Sequence, residues 1–292
     1  MEYIDNKKED TYGILNLQDK ILKIAVFIDN ICAKHNISYY LMGGSALGAL
    51  RHQGFIPWDD DLDIFMTPDN YERFRMVIDE IKPSDYYLQE LGACKNGMVA
   101  SAKLRLNNTA YIESAIKDMH VHQGIFVDIF ILHNCPTNRI LQLYMVGAAK
   151  YLLLKGQSYK QISYGGMKGL IMSLVRLLPK KFLYKHALSV LYRYDRKETE
   201  LVCHLMGKAF YKKGIYKKDY FKSACRVAFE NTSLLIPVGS DDYLRDRFGD
   251  YMKMPPKESI KLAQHAEIWD TKKDFSEYIN KSRSFADEDK LV

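Results

Sequence analysis

The densest chemistry in this sequence lies between residues 41 and 66, Leu-Met-Gly-Gly-Ser-Ala-Leu-Gly-Ala-Leu-Arg-His-Gln-Gly-Phe-Ile-Pro-Trp-Asp-Asp-Asp-Leu-Asp-Ile-Phe-Met. Asp61 and Asp63 flank Leu62 in a segment that reads as a strand, so their carboxylates point to one face. Two carboxylates this close repel unless a proton or cation lies between them. Hard divalent cations prefer such oxygen ligands, and one or two carboxylates plus substrate phosphates form the usual Mg2+ site. The spacing therefore predicts a Mg2+ or Mn2+ centre. Asp59 and Asp60, just upstream, are assigned supporting or donor-positioning roles. Gly43 and Gly44 carry no side chain and let a phosphate approach the backbone. A short helix capped by Ser45 would then offer its free N–H groups to the anion. The competing reading is a solvated acidic loop beside an ordinary turn, and the strand placement of the acids counts against it.

A third carboxylate, Asp128, stands alone in the apolar run Ile125-Phe-Val-Asp-Ile-Phe-Ile-Leu132. Buried without a partner it would be costly. A cation shared with Asp61 and Asp63 is one partner, and a satisfied structural carboxylate is the alternative. Lys103 and Arg105 alternate with Ala102 and Leu104, so both face one side of a strand. They are candidate phosphate contacts, with Arg51 on the short helix, against the reading of a solvated strand face. His120 and His122 precede the Asp128 strand at period two. A polar site wall or plain surface is favoured there over a zinc pair.

The elements that must position these groups can be read from periodicity. Residues 17–35 place Ile21, Ile24, Ala25, Ile28 and Ile31 on one helical face, with Asn36 as a stop. Ile37–Met42 reads as a strand, Ser45–His52 as a short helix ended by Gly54, and Leu62–Met66 as a second strand. Thr67-Pro68 predicts a capped helix to Ile81. Strands follow between Tyr86 and Ser114, including Val99–Leu106 and Ala110–Glu113, and Ile125–Leu132 is a buried central strand. Residues 139–220 read as mostly helical. The tail from Ile236 reads as irregular, then helical over Lys257–Ile279.

The totals set bounds. Apolar residues are 47% and charged residues 27% of the 292, the composition of a folded chain. The five cysteines have no CxxC pair, which argues against a zinc knuckle or disulfide framework. The N-terminus lacks the apolar core of a signal peptide, and no apolar run is long enough to span a membrane, so a cytoplasmic protein is expected. The net charge is +6, yet from Ile129 to Tyr194 there is no Asp or Glu among Arg139, Lys150, Lys155, Lys160, Lys168, Arg176, Lys180, Lys181, Lys185 and Arg193. Such a stretch suits either core-facing helices with a basic exterior or peripheral contact with an anionic membrane at the inner face of the cell membrane. No nucleic-acid partner is expected, since no binding motif accompanies the charge.

Gly43-Gly-Ser followed by Asp61-Leu-Asp63 and a later strand aspartate, Asp128, resembles the nucleotidyltransferase superfamily pattern. The block from Gly43 to Asp63 resembles the LicD family more narrowly, a group of bacterial phosphocholine transferases related to fukutin-type ribitol-phosphate transferases. His122-Gln-Gly-Ile-Phe-Val-Asp-Ile-Phe130 resembles its second acidic strand. Ile236-Pro-Val-Gly239, Tyr243-Leu244 and Phe248-Gly-Asp-Tyr-Met-Lys-Met-Pro-Pro256 resemble its C-terminal segment. The chain departs from the family's pattern at Phe130-Ile-Leu-His133.

The resemblance implies an α+β fold, a nucleotidyltransferase-like mixed sheet with flanking helices and a largely helical middle and C-terminal portion. It implies a catalytic core over 1–135, a basic helical region over 136–230 and a C-terminal segment over 231–292 that packs back on the core. It also implies transfer of a phospho-alcohol, phosphocholine from CDP-choline above all, to a hydroxyl of a cell-surface glycan or its lipid-linked precursor. Asp61, Asp63 and Asp128 would bind the metal, and Asp250 and Tyr251 would be acceptor-side or lid residues. A nucleotidyltransferase moving NMP from an NTP, and a catalytically silent membrane-associated scaffold, are the alternatives.

Overall fold

The computed structural model describes residues 10–90, 92–94, 97–99, 101–114, 116–117, 121–157, 166–177, 180–207, 211–256 and 265–279. Helix α1 (Leu15–Lys34) buries Leu17, Ile21, Ile24, Ala25, Ile28 and Cys32 along one face. Asn36 stops it in the left-handed region at φ 53°, a conformation asparagine tolerates better than most residues. Strand β1 (Tyr40–Leu41) leads into helix α2 (Gly43–His52). Strand β2 (Asp63–Met66) is followed by helix α3 (Pro68–Ile81), whose Thr67 cap accepts from the Asn70 amide and whose first residue is proline, as the sequence predicts.

The chain then forms β3 (Tyr86–Gln89), β4 (Gly92–Cys94), β5 (Gly97–Val99), β6 (Ala102–Leu106), β7 (Ala110–Ile112), β8 (Phe126–Ile131) and β9 (His133–Cys135). The main sheet has the order β1-β2-β8-β6-β3. β8 is central, which explains its apolar run: both of its faces are covered. It pairs parallel with β2 and antiparallel with β6, so the sheet is mixed and the fold is α+β. Helices α4 (Arg139–Gln157), α5 (Gly166–Leu177) and α6 (Lys180–Leu191) follow, then β10 (Leu201–Cys203), β11 (Ile215–Lys217), β12 (Ala224–Phe229), β13 (Thr232–Pro237), helix α7 (Ser240–Phe248) and β14 (Ile268–Asp270).

Two main cores organise these elements, and a third small one joins Ala110 and Ile112 of β7 to Phe275. The larger joins α1, the main sheet and the C-terminal residues Phe229, Leu234, Ile236, Tyr243, Leu244 and Tyr251. The smaller joins α4 and α6 to β9 and β10 through Met145, Ala149, Leu152, Tyr184, Ala187, Val190, Cys135 and Cys203.

Several expectations are corrected. The strand over Ile37–Met42 shrinks to two residues, because Ile37 closes the turn after α1 by donating to Cys32 O. Helix α2 begins at Gly43, not Ser45, and its capping residue Met42 contributes no side-chain bond. It ends on Gln53 in the left-handed conformation, one residue before Gly54. Within 201–217 the described residues form β10, a 3-10 turn at Tyr211–Gly214 and β11, not a long helix, and β10 lies between β9 and β11. In the tail the helix is α7, and the described part of 257–279 contains β14 paired with β7 and a 3-10 turn.

Candidate active site

Strand register builds the site. In the parallel β2–β8 pair Asp63 stands opposite Asp128, and in the antiparallel β6–β8 pair Lys103 stands opposite Asp128. Paired positions share a face, so Asp63, Asp128 and Lys103 form a row across three neighbouring strands. Asp61 lies just before β2 on the same side, two residues from Asp63. Ser45 ties the row to α2: its Oγ accepts from the Asp63 amide at 2.8 Å. Ser45 is thus a positioning residue buried behind the strand start, which corrects its assignment as the cap of α2.

The Asp128 carboxylate has its partners within the chain. Lys103 Nζ donates to Oδ1 and Oδ2 at 2.7 and 2.8 Å, and Ser101 Oγ donates to Oδ1 at 2.6 Å. Lys103 also lies 3.5 Å from the centroid of the Phe126 ring. This is the satisfied arrangement that the sequence left open as an alternative.

The other two acids are not satisfied in this way. Burial raises the Asp61 carboxyl to about 6, with His265 and Lys103 opposing the shift and Asp128 and Asp60 adding to it. Burial holds Asp63 well above the ordinary carboxylate range, and Asp61, Asp128 and Asp59 push it further. Negative charge is therefore in excess where Asp61 and Asp63 meet, and a hard divalent cation is the ligand that would relieve it. The residues present fit such a cation.

The expected triad of Asp61, Asp63 and Asp128 is one grouping; the structure offers another. Asp60, Asp61 and His265 bring ligand atoms within 4.8 Å of one another. Their chemistry divides the roles. Asp60 is 1% exposed, its Oδ2 accepts from the amides of His265 and Ala266 at 2.7 and 3.1 Å, and its Oδ1 meets His265 Nδ1 at 3.0 Å. Burial alone would raise its pKa, but these bonds lower it. Asp60 is therefore a clasp that holds the returning C-terminal segment over the acids, not a substrate contact. His265 Nδ1 lies 3.7 Å from Asp61 Oδ2. No local pattern around His265 could have marked it, since only the Asp60 clasp brings it to the site.

The glycine turn is occupied by the chain itself. Gly43 is at φ +52° and its amide donates to Tyr243 Oη at 2.9 Å. A Cβ at Gly44 would stand 2.9 Å from Asp59 Oδ2, so glycine is needed there to admit a carboxylate. That places Asp59 near the positive N-terminus of α2. A Cβ at Gly43 would meet Arg247 Nη2 at 3.8 Å. Arg247, on α7, was missed by the sequence reading. Its Nη1 donates to Tyr216 Oη at 2.9 Å, its buried Nε has no hydrogen-bond partner among the described residues, and the charge of Asp63 reaches it. Its only sequence signal was its place two residues before Gly249-Asp250.

The remaining predicted residues sit elsewhere. Arg105 is 1% exposed and donates to Gln89 Oε1 and Gly124 O, with burial pulling its pKa down to about 10. It braces the sheet and is closed to a phosphate. Arg51 donates to the carbonyls of Tyr251 and Lys253 and pins the segment after α7. His122 stacks on Tyr87 and bonds Asn107 and the Gly124 amide, a structural role away from the acids. His120 lies outside the described residues. Asp250 is exposed in the turn after α7, whereas Tyr251 is buried and donates to Asp241.

Residues 36–140 match the family model described as LicD/FKTN/FKRP, nucleotidyltransferase domain, a span that holds Asp61, Asp63, Lys103 and Asp128. Over this stretch the chain is similar to the LicD family. The similarity extends beyond the LicD domain. The chain is 26% identical over 246 residues to "Lipopolysaccharide cholinephosphotransferase LicD" of Haemophilus influenzae, covering 82% of this chain and 91% of that protein. Shorter matches, 39% over 59 residues and 35% over 68, join it to uncharacterized proteins of Rickettsia typhi and Rickettsia prowazekii, covering 19% and 26% of them. Among the described residues no helix is long and apolar enough to cross a membrane.

Proposed function

We propose that this protein is a phosphotransferase that moves a phospho-alcohol, phosphocholine from CDP-choline in the first instance, to a hydroxyl of a cell-surface glycan or its lipid-linked precursor. The observation that carries the reading is the row of Asp63, Asp128 and Lys103 beside Asp61, inside a LicD domain. The likeness to a lipopolysaccharide cholinephosphotransferase along most of both chains supports the substrate class.

The acceptor oxygen forms a bond to the phosphorus of phosphocholine. The bond from that phosphorus to the oxygen of CMP breaks, and CMP leaves with the electron pair. A Mg2+ or Mn2+ held by Asp61 and Asp63, with Asp128 beside them, would supply the screening of phosphate charge that such transfer needs. Arg247, with an unused donor beside Gly43, binds the donor's pyrophosphate. Lys103 holds Asp128 in place and adds a positive charge to the same face. The acceptor proton passes to a carboxylate of this row; Asp128 is engaged by Lys103 and Ser101.

The test is release of CMP or pyrophosphate from a panel of CDP-choline, CDP-ethanolamine, CDP-ribitol, CDP-glycerol and NTPs with Mg2+ or Mn2+. CMP from one CDP-alcohol is expected, and Asp63→Asn should abolish it in a folded protein. Pyrophosphate from an NTP would instead establish a nucleotidyltransferase. Full activity of Asp63→Asn would sink the assignment of the acids.

A further inference from the structure

The helical region after the LicD domain carries an apolar surface that the fold does not use. α4 and α6 spend their inner faces on the smaller core. Among the described side chains of α5, four large apolar ones are turned outward: Met167 is 76% exposed, Leu170 58%, Ile171 43% and Leu174 56%. These are positions i, i+3, i+4 and i+7, which lie on one helical face. Ile140 and Leu143 on α4 and Phe182 on α6 are exposed as well. Monomeric proteins rarely expose so many large apolar side chains together, and such patches mark interaction sites.

The charge pattern selects the partner. Ten Lys and Arg and no acid lie between Ile129 and Tyr194. Arg139, Lys185 and Arg193 are exposed on the elements that carry or flank the patch. A second copy meeting this region with the same region would bring two acid-free, cationic surfaces together and be repelled. A sheet of anionic headgroups over acyl chains satisfies both features, since apolar side chains enter the headgroup boundary and cations stay at its surface. We propose that the outer face of α5, with Ile140, Leu143 and Phe182, docks on an anionic lipid surface. This surface is independent of the acidic centre, and it would hold the enzyme where a lipid-linked acceptor resides.

The test is flotation of the full chain with mixed phosphatidylglycerol–phosphatidylcholine vesicles and with pure phosphatidylcholine. Binding to the mixed vesicles alone, weakened by added salt, is expected. Leu170→Gln/Leu174→Gln should lower it by about tenfold or more while CMP release with a soluble acceptor is unchanged, because neither residue touches the acids. Met76→Gln, an exposed apolar position on α3, should leave binding intact. Absence of flotation, or equal flotation of the double variant, overturns the proposal. Light scattering that shows a dimer abolished by the double variant overturns it too, in favour of a second copy as the occupant.

Discussion

Lys103 holds both carboxylate oxygens of Asp128, at 2.7 and 2.8 Å, from the opposing register position on the neighbouring strand. Both side chains are largely buried, 14% and 12% exposed. A pair of this kind does not stabilise strongly against a neutral replacement, but breaking it strands a buried charge. Lys103→Met should therefore cost about 3 kcal/mol, the range for an uncompensated buried charge. Lys103→Met/Asp128→Asn should recover part of that loss, because no charge is left behind. Urea midpoints of the two single variants and the double variant close the cycle. Strict additivity would show that the pair is not coupled.

This pair also shows what could be read in the sequence and what could not. Alternation around β6 placed Lys103 on a strand face, and the lone acid in an apolar run placed Asp128 in the sheet. The same alternation put Arg105 beside Lys103, yet Arg105 has its own buried acceptors in Gln89 and Gly124. Periodicity assigns a face but not what lies over it. Caps and turns read directly at Thr67-Pro68 and Asn36 because their signals are local. β10's place beside β9 and the place of His265 could not be read, since Leu201 pairs with Cys135, 66 residues away, and His265 meets Asp60, 205 residues away.

Arg247 should govern affinity for the donor. Burial would lower its pKa, but Tyr243, Tyr216 and Asp63 outweigh that and raise it, so it stays charged beside Gly43. Arg247→Gln should raise KM for the CDP-alcohol by about tenfold or more, the worth of one charge-assisted bond. Tyr216→Phe removes the acceptor of Nη1 and the bond to Lys213 O, and should change KM far less. Steady-state CMP release measures both, and an unchanged KM in Arg247→Gln would remove this residue from the donor site.

His122 should make the protein sensitive to acid. Its Nδ1 accepts from the Gly124 amide at 3.1 Å, so Nε2 carries the proton toward Asn107. Burial, and then the charge of Arg105, pull its pKa down to about 3, against about 6.5 in an unfolded chain. Between these values the unfolded chain binds the extra proton, so His122's stability is complete above about 6.5 and declines as the pH falls toward 3. His122→Gln should be less stable than the parent at pH 7, and the gap between them should narrow by pH 5. Comparing the two proteins cancels the opposite pH dependence of Asp61 and Asp63. Urea midpoints at the two pH values check this, and a gap that stays constant would mean His122 does not titrate in this window.

Two helical glycines should respond oppositely to alanine. Gly48, in α2, faces the loop that carries the acids: a Cβ there would lie 2.5 Å from Gly54 O and 3.1 Å from the Ile56 amide nitrogen. Both are backbone atoms, so the 54–56 segment must move, and with it the approach to Asp59 and Asp61. Gly147 lies within α4 with nothing inside 4 Å of its Cβ position, so alanine adds helix propensity at no steric cost. Gly147→Ala should stabilise by about 0.5–1 kcal/mol and leave CMP release unchanged. Gly48→Ala should destabilise by about 1–3 kcal/mol, as overpacking does, and should also slow turnover because the displaced loop leads directly into the acidic row. Thermal unfolding and CMP release on the two variants separate these outcomes. A Gly48→Ala protein with normal turnover would show that the acids are held by β2 and Ser45 alone, without help from the α2 loop.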